Sequence, residues 1–478
     1  MKNSMRLVLG LSVMLSATAC SDFLNGPGLT DNPNSPTVVT ARQQLIAVQA
    51  GTFTRLEGQL ARSAGIYTQQ LIGSNNQQLQ WATQYGQSES DIPGTMSGFY
   101  TGTGLFGLRN IQAAAHAADD KLLEGIAKIW EGYTMGTAAS VWGDLPYSEA
   151  LNPAILPKLD AQQSIYAEVQ KRFDEGITLL QAAPTTGNCD PGEGDLIYCA
   201  SATTRANQVG RWIRAANTLK ARFYLHLVER NGAAAYQQAL AAAQAGINEA
   251  PANATQAIHG QAPGDFRSFH GSTLDQDANI WYEFLNSRQD VVAGNTLIQL
   301  LVSRGDPRLS AYFDPNAKGD FRGMDQNAKV VPTTDAASVI NISVRRSPTF
   351  RQPLVTWAEN QLIQAEAQFQ LNGAAAALPF VNAVRVAVGM PALGAVTFQD
   401  VMIEKYIAMF QNIEVWSDWK RTCIPALTPF GTATEVPGRL PYGSAERVAN
   451  PNLPLPSAYP TGTTGPAPLR NWDDPNKC

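Results

Sequence analysis

Charge is scarce in this chain. Asp, Glu, Lys and Arg make up 16% of its 478 residues, and the formal net charge is -5. It has no Lys/Arg-rich block and no basic stripe, so the electrostatic footprint of a nucleic-acid binder is missing. Histidine is scarcer: His116, His226, His259 and His270 are the four. None lies in an HExxH pattern, and the five cysteines include no CxxC and no neighbouring His. No zinc site is written here. GxSxG elbows and Walker sequences are also absent. No apolar run reaches the length of about 18 residues that spans a bilayer as a helix.

Two partial motifs are present and fail on context. Gly102-Thr103-Gly104-Leu105-Phe106-Gly107 matches GxGxxG. A dinucleotide fold needs a buried strand before it, whereas Gln87 to Gly98 is polar and broken by Gly and Pro. Asp314-Pro315-Asn316-Ala317-Lys318-Gly319 begins like a calcium loop. Lys318 stands where an oxygen ligand belongs and Asp325 replaces the closing Glu. Neither metal nor cofactor is expected. Carboxylate pairs of the glycosidase kind are a spatial property that sequence order does not fix.

Neutral polar residues are plentiful, and a neutral polar surface suits neutral ligands. The amino terminus is patterned. Lys2 and Arg6 precede a nine-residue apolar run, Leu7 to Leu15, then Ala17-Thr18-Ala19 and Cys20. Charge, short apolar core and small residues are the anatomy of a secretory signal. A small-residue site ending in Cys points to a lipobox, although Ala17 stands where leucine is usual. The expectation is a signal peptide over 1–19, lipid on Cys20, and a polar, Pro/Gly-rich tether over 20–36. A single domain then fills 37–478. Export permits disulfides. Cys189, Cys199, Cys423 and Cys478 allow three connectivities, with free thiols as the alternative. Cys189–Cys199 closes the shortest loop, leaving Cys423–Cys478.

The body reads as all-α. Apolar residues recur at steps of 3 and 4 in Leu122-Ile126-Ile129-Tyr133, Trp212-Ala216-Leu219-Phe223-Leu227, Tyr236-Leu240-Ala243-Ile247 and Leu354-Ala358-Leu362-Ala365-Phe369. Asn-Gly-Ala-Ala-Ala occurs twice, at Asn231 and Asn372, 141 residues apart. Asn-Gly ends one helix in a left-handed residue and the alanines start the next. Two helical hairpins of tetratricopeptide size follow, too far apart in sequence for a clean tandem solenoid. Segments 251–350 and 425–478 are instead rich in Pro, Gly, Asp and Asn, yet hold aromatics such as Trp281, Tyr282, Tyr442 and Trp472. Loops this long are functional or disordered, and their aromatics argue against simple disorder.

Several segments together resemble one family. They are Cys20-Ser21-Asp22-Phe23-Leu24-Asn25; Ala127-Lys128-Ile129-Trp130 with Trp142-Gly143-Asp144-Leu145-Pro146-Tyr147-Ser148-Glu149-Ala150; Asn286-Ser287-Arg288-Gln289-Asp290; Asp306-Pro307-Arg308-Leu309; and Glu404-Lys405-Tyr406 with Glu414 to Thr422. In this order the chain is similar to SusD/RagB outer-membrane nutrient-binding lipoproteins. The resemblance implies a bundle of tetratricopeptide-like helical hairpins with a loop-rich ligand-facing region. It implies binding of an oligosaccharide or peptide, delivery to a SusC-like TonB-dependent transporter, a surface position at the outer membrane, and no catalysis. The Trp-Gly-Asp-Leu-Pro-Tyr turn reads as a fold determinant, because Gly143 and Pro146 stop a helix and the aromatics pack around it. Trp416 and Trp419 read as core.

A sugar binder needs aromatic faces beside amides or carboxylates. Asn75 to Tyr85 and Asp275 to Tyr282 offer both. Trp81, Tyr85, Asn279, Trp281 and Tyr282 are therefore the expected ligand contacts, with burial of the tryptophans as the competing reading. Three functions compete: nutrient capture, a lipoprotein glycoside hydrolase on a helical fold, and a helical envelope scaffold.

Overall fold

A computed structural model describes residues 39–92, 94–200, 203–271, 277–325, 337–431, 433, 435–454, 470–474 and 478. The expected signal, Cys20 and the whole tether lie outside them. So do residues 272–276, which include Asp275 of the second candidate segment.

Eleven helices form the frame. They are α1 (Ala41–Glu57), α2 (Gln59–Tyr67), α3 (Leu105–Ala117), α4 (Lys121–Trp142), α5 (Gln162–Gln181), α6 (Arg205–Leu225), α7 (Ala233–Gln244), α8 (Trp357–Asn372), α9 (Ala374–Ala387), α10 (Phe398–Ala408) and α11 (Glu414–Thr422). Side chains start them where the sequence allows. Thr40 Oγ1 accepts from Gln43 N–H while Gln43 Oε1 takes the Thr40 N–H, a reciprocal cap on α1. Thr204, Thr356 and Thr397 cap α6, α8 and α10. Between α1 and α2 stands Gly58, where a Cβ would collide with the Thr54 carbonyl.

From α3 to α10 each helix packs on the next. The mostly helical bundle expected from the apolar stripes is what forms, and Trp130, Tyr133, Trp212, Leu219 and Phe223 all lie in its core. Close approach is set by small residues. A Cβ on Gly136 of α4 would stand 2.5 Å from the Phe223 ring of α6.

The two hairpins, α6–α7 and α8–α9, are far apart in sequence but adjacent in space, because α7 packs on α8. The intervening chain leaves the array and returns to it. Asn360 on α8 seals the join. Its Nδ2 donates to the carbonyls of Ala243 (2.9 Å) and Ile247 (3.0 Å), and its Oδ1 accepts from Thr218 Oγ1 at 3.1 Å. Separation in sequence therefore did not prevent a continuous array.

The excursion is tied down by short antiparallel pairs. Leu71–Gly73 pairs with Val291–Ala293, Phe266–Arg267 with Pro353–Val355, and Phe313–Asp314 with Val339–Ile340. Cys189 is bonded to Cys199 and Cys423 to Cys478, with Cα atoms 5.5 and 5.2 Å apart. No helix among the described residues is long and apolar enough to cross a membrane.

The motif residues lie inside. Trp142 Nε1 donates to Pro441 O at 3.0 Å, and Tyr147 OH donates to Glu131 at 2.8 Å. Trp416 and Trp419 are buried and donate to Pro437 O and Pro425 O. Charges of the later motifs form buried networks. Glu404 takes Arg308, Arg304 and Arg385, while Arg308 also holds Asp306 at 2.6 Å. Lys405 holds Asp418 at 2.8 Å, and Arg421 bridges Asp418 and Glu366. Burial alone would raise Glu404 and Asp418, but the cations beside them hold both below the usual carboxylate range.

Candidate ligand-binding clefts

Four of the five expected contacts are not at the surface. Trp81 is 2% exposed, Tyr85 3%, and Asn279 and Trp281 are fully enclosed. This corrects the sequence expectation. Within the candidate stretch Asn75, Asn76, Gln77 and Gln80 are exposed, while Trp81 and Tyr85 turn inward. An amide-rich helix puts its amides in water and its aromatics against the core. Asn279 is a cap: its Oδ1 accepts from the backbone of Trp281 (2.9 Å) and Tyr282 (3.3 Å) at the start of the short helix Ile280–Asn286. Tyr282 alone is half-buried.

The two segments nevertheless adjoin two clefts. Tyr85 backs the first. Its ring lies 5.0 Å from Phe430 and its hydroxyl accepts from Gln69 Nε2 at 3.2 Å. Gln69, Asn295, Thr296, Met324, Thr428 and Phe430 line a hollow of about 200 Å³. Gln69 is held in place: its Nε2 also donates to Thr428 O at 2.7 Å, and its Oε1 accepts from Thr296 Oγ1 at 3.1 Å. Asn295 opens the helix Asn295–Ser303, set by the Leu71–Gly73/Val291–Ala293 pair. Amide and hydroxyl groups around one aromatic edge can bond the hydroxyls of a neutral ligand and cover an apolar face of it.

Ile280, next in sequence to Asn279 and Trp281, lines the second cleft with Arg55, Gln59, Arg62, Thr95 and Thr103. It encloses about 450 Å³. Arg55 donates to Thr103 Oγ1 at 3.1 Å and to Thr103 O at 2.7 Å. The Arg62 guanidinium stacks 3.9 Å from the Phe284 ring centre, and Arg288 approaches the same ring at 5.3 Å. Burial lowers both Arg55 and Arg62 to about 10, with repulsion from Arg288 adding to the effect on Arg62. Sequence reasoning missed every polar residue of both clefts. They are single Gln, Asn, Thr and Arg residues scattered from Arg55 to Thr428, and only folding gathers them. Among the described residues, no group of three His, Cys, Asp or Glu side chains could hold a metal ion.

The model of one protein family matches residues 33–443, and its description is SusD-like, starch-binding, associating with outer membrane. The chain belongs to this family. Solved structures agree on the SusD-like fold. A chitin-binding protein superposes with a TM-score of 0.71 at 22% identity, covering 91% of this chain and 100% of its own. A SusD/RagB family protein from Bacteroides thetaiotaomicron gives 0.67 at 22% identity, covering 87% and 95%. A SusD-like protein from the same organism gives 0.70 at 18% identity, covering 91% and 99%. No curated protein sequence matches.

Proposed function

We propose that this protein captures an oligosaccharide at the Gln69–Asn295–Phe430 cleft and hands it, chemically unchanged, to a SusC-like TonB-dependent transporter. The lipid on Cys20 and the residue 20–36 tether hold it at the cell surface. The observation that carries the reading is the cleft itself, a set of amides and hydroxyls beside an aromatic in a SusD-like chain. The family's starch-binding description and the chitin-binding neighbour favour a glycan over a peptide.

Calorimetric titration of the mature chain with maltohexaose, chitohexaose and hexagalacturonate tests it. At least one should bind, and Asn295→Ala should weaken it about tenfold, the worth of a lost hydrogen bond at a desolvated site. No binding of any of the three, unchanged affinity in Asn295→Ala, or release of shorter sugars would each overturn it. Cys20→Ala should free the protein from the membrane fraction.

A further inference from the structure

The second cleft differs from the first in one respect that neutral-sugar capture does not use. It is cationic, in a chain whose net charge is -5. Arg55 Nε and Arg62 Nε are buried with no hydrogen-bond partner, and no carboxylate pairs with either guanidinium among the described residues. The nearby carboxylates are committed elsewhere. Glu446 accepts from the backbone of Gly94 (3.2 Å) and Ser97 (2.8 Å). Asp91 accepts from Ser88 N at 2.7 Å, and Glu57 faces His270 at 2.9 Å. Asp290 takes Asn76 Nδ2 at 3.0 Å and lies 3.9 Å from Arg288.

Arg55 and Arg62 thus line one cleft on α1 and α2, with Arg288 beside Arg62 at the Phe284 ring and 3.9 Å from Asp290. Like charges held together without a paired carboxylate are unfavourable unless an anion joins them. A planar guanidinium fork matches a carboxylate, and a half-buried site strengthens that bond. The surroundings, Thr54, Gln59, Thr95 and Thr103, supply hydroxyls and an amide for a sugar ring. Arg62 on α2 and Gln69 just past its end are seven residues apart in the chain, close to two helical turns or about 11 Å of rise.

We propose that the Arg55–Arg62 cleft binds the carboxylate of an acidic sugar, so that the captured glycan carries uronic acid residues. This rests on the glycan-capture reading above and narrows its substrate class.

The test is titration of the mature chain with hexagalacturonate, maltohexaose and hexaglutamate, at low and high salt. Hexagalacturonate is expected to bind, more weakly as salt rises. Arg62→Gln should cost it about tenfold, the worth of one charge-assisted hydrogen bond, while leaving any maltohexaose affinity unchanged. Arg62→Lys should restore part of the loss, because the charge returns without the fork. Arg288 is exposed, so Arg288→Gln remains an informative folded variant if Arg62→Gln fails to fold. It should reduce the salt dependence. Failure of hexagalacturonate to bind, or equal weakening of acidic and neutral glycans in Arg62→Gln, overturns the proposal. So does hexaglutamate binding as tightly as the uronide. Neutral glycan binding that is sensitive to Asn295→Ala but not to Arg62→Gln, without uronide binding, leaves the capture function standing and removes only this inference. No glycan binding at all removes both.

Discussion

The buried core of the array and the clefts treat charge in opposite ways. In the array every named cation has an anion. Arg222 meets Glu359 through two hydrogen bonds of 2.6 and 2.7 Å, and Arg421, Lys405, Glu366 and Asp418 close a four-membered network. At the clefts, Arg55 and Arg62 are half-buried without such partners. A buried ion is tolerated when its partner is built in, and destabilises when it is not. The contrast teaches where to look for a ligand: at the charges the fold itself does not neutralise.

The comparison can be broken most severely in the array. Arg421→Met should strand Glu366 and Asp418 and cost about 3–5 kcal/mol, read from chemical denaturation. A loss near zero would show that the network is dispensable. Trp281→Ala should lose a similar ~3–5 kcal/mol as a core deletion, and a merely weakened ligand affinity in a fully stable variant would return Trp281 to the ligand face. Asn360→Ala, which unfastens α7 from α8, should cost about 1–3 kcal/mol by leaving buried carbonyls unpaired.

A smaller effect is expected from His270. Burial alone would lower it, but Glu57 at 2.9 Å holds it above the ordinary histidine value of 6.5. A raised folded pKa means that the pair's stabilisation is complete below the ordinary value and is lost as pH climbs through the raised one. Melting temperature should therefore fall over that rise, and the His270-dependent part should vanish in His270→Gln. Least of all, Arg288→Gln should leave stability within about 0.5 kcal/mol, whatever it does to binding. A large loss there would mean that the cleft cations serve the fold.

The sequence made the helices legible because their apolar spacing follows the helix period, and Asn231-Gly232 and Asn372-Gly373 marked both hairpin turns. It located the right neighbourhoods for the clefts but inverted them. Trp81, Tyr85 and Trp281 are buried in the core, and Gln69, Asn295, Arg55 and Arg62 line the clefts. Periodicity reports which face of a helix is apolar. It carries no information on which aromatic of a loop turns inward, because that depends on partners hundreds of residues away, as when Tyr406 O receives Gln70. The tetratricopeptide-like pairing of α7 with α8 was hidden for the same reason.

That pairing gives the excursion an unusual status. Its first residues are stitched to its far end by the 3.0 Å bond from Asn360 to Ile247 O. Everything between is a closed bight that starts and finishes at one spot on the array. Lengthening such a bight costs little chain entropy, since closure depends only weakly on length. Descendants of this chain could therefore exchange one set of sugar-contacting loops for another, as a tool is changed in its handle, with the knot at Asn360 left tied.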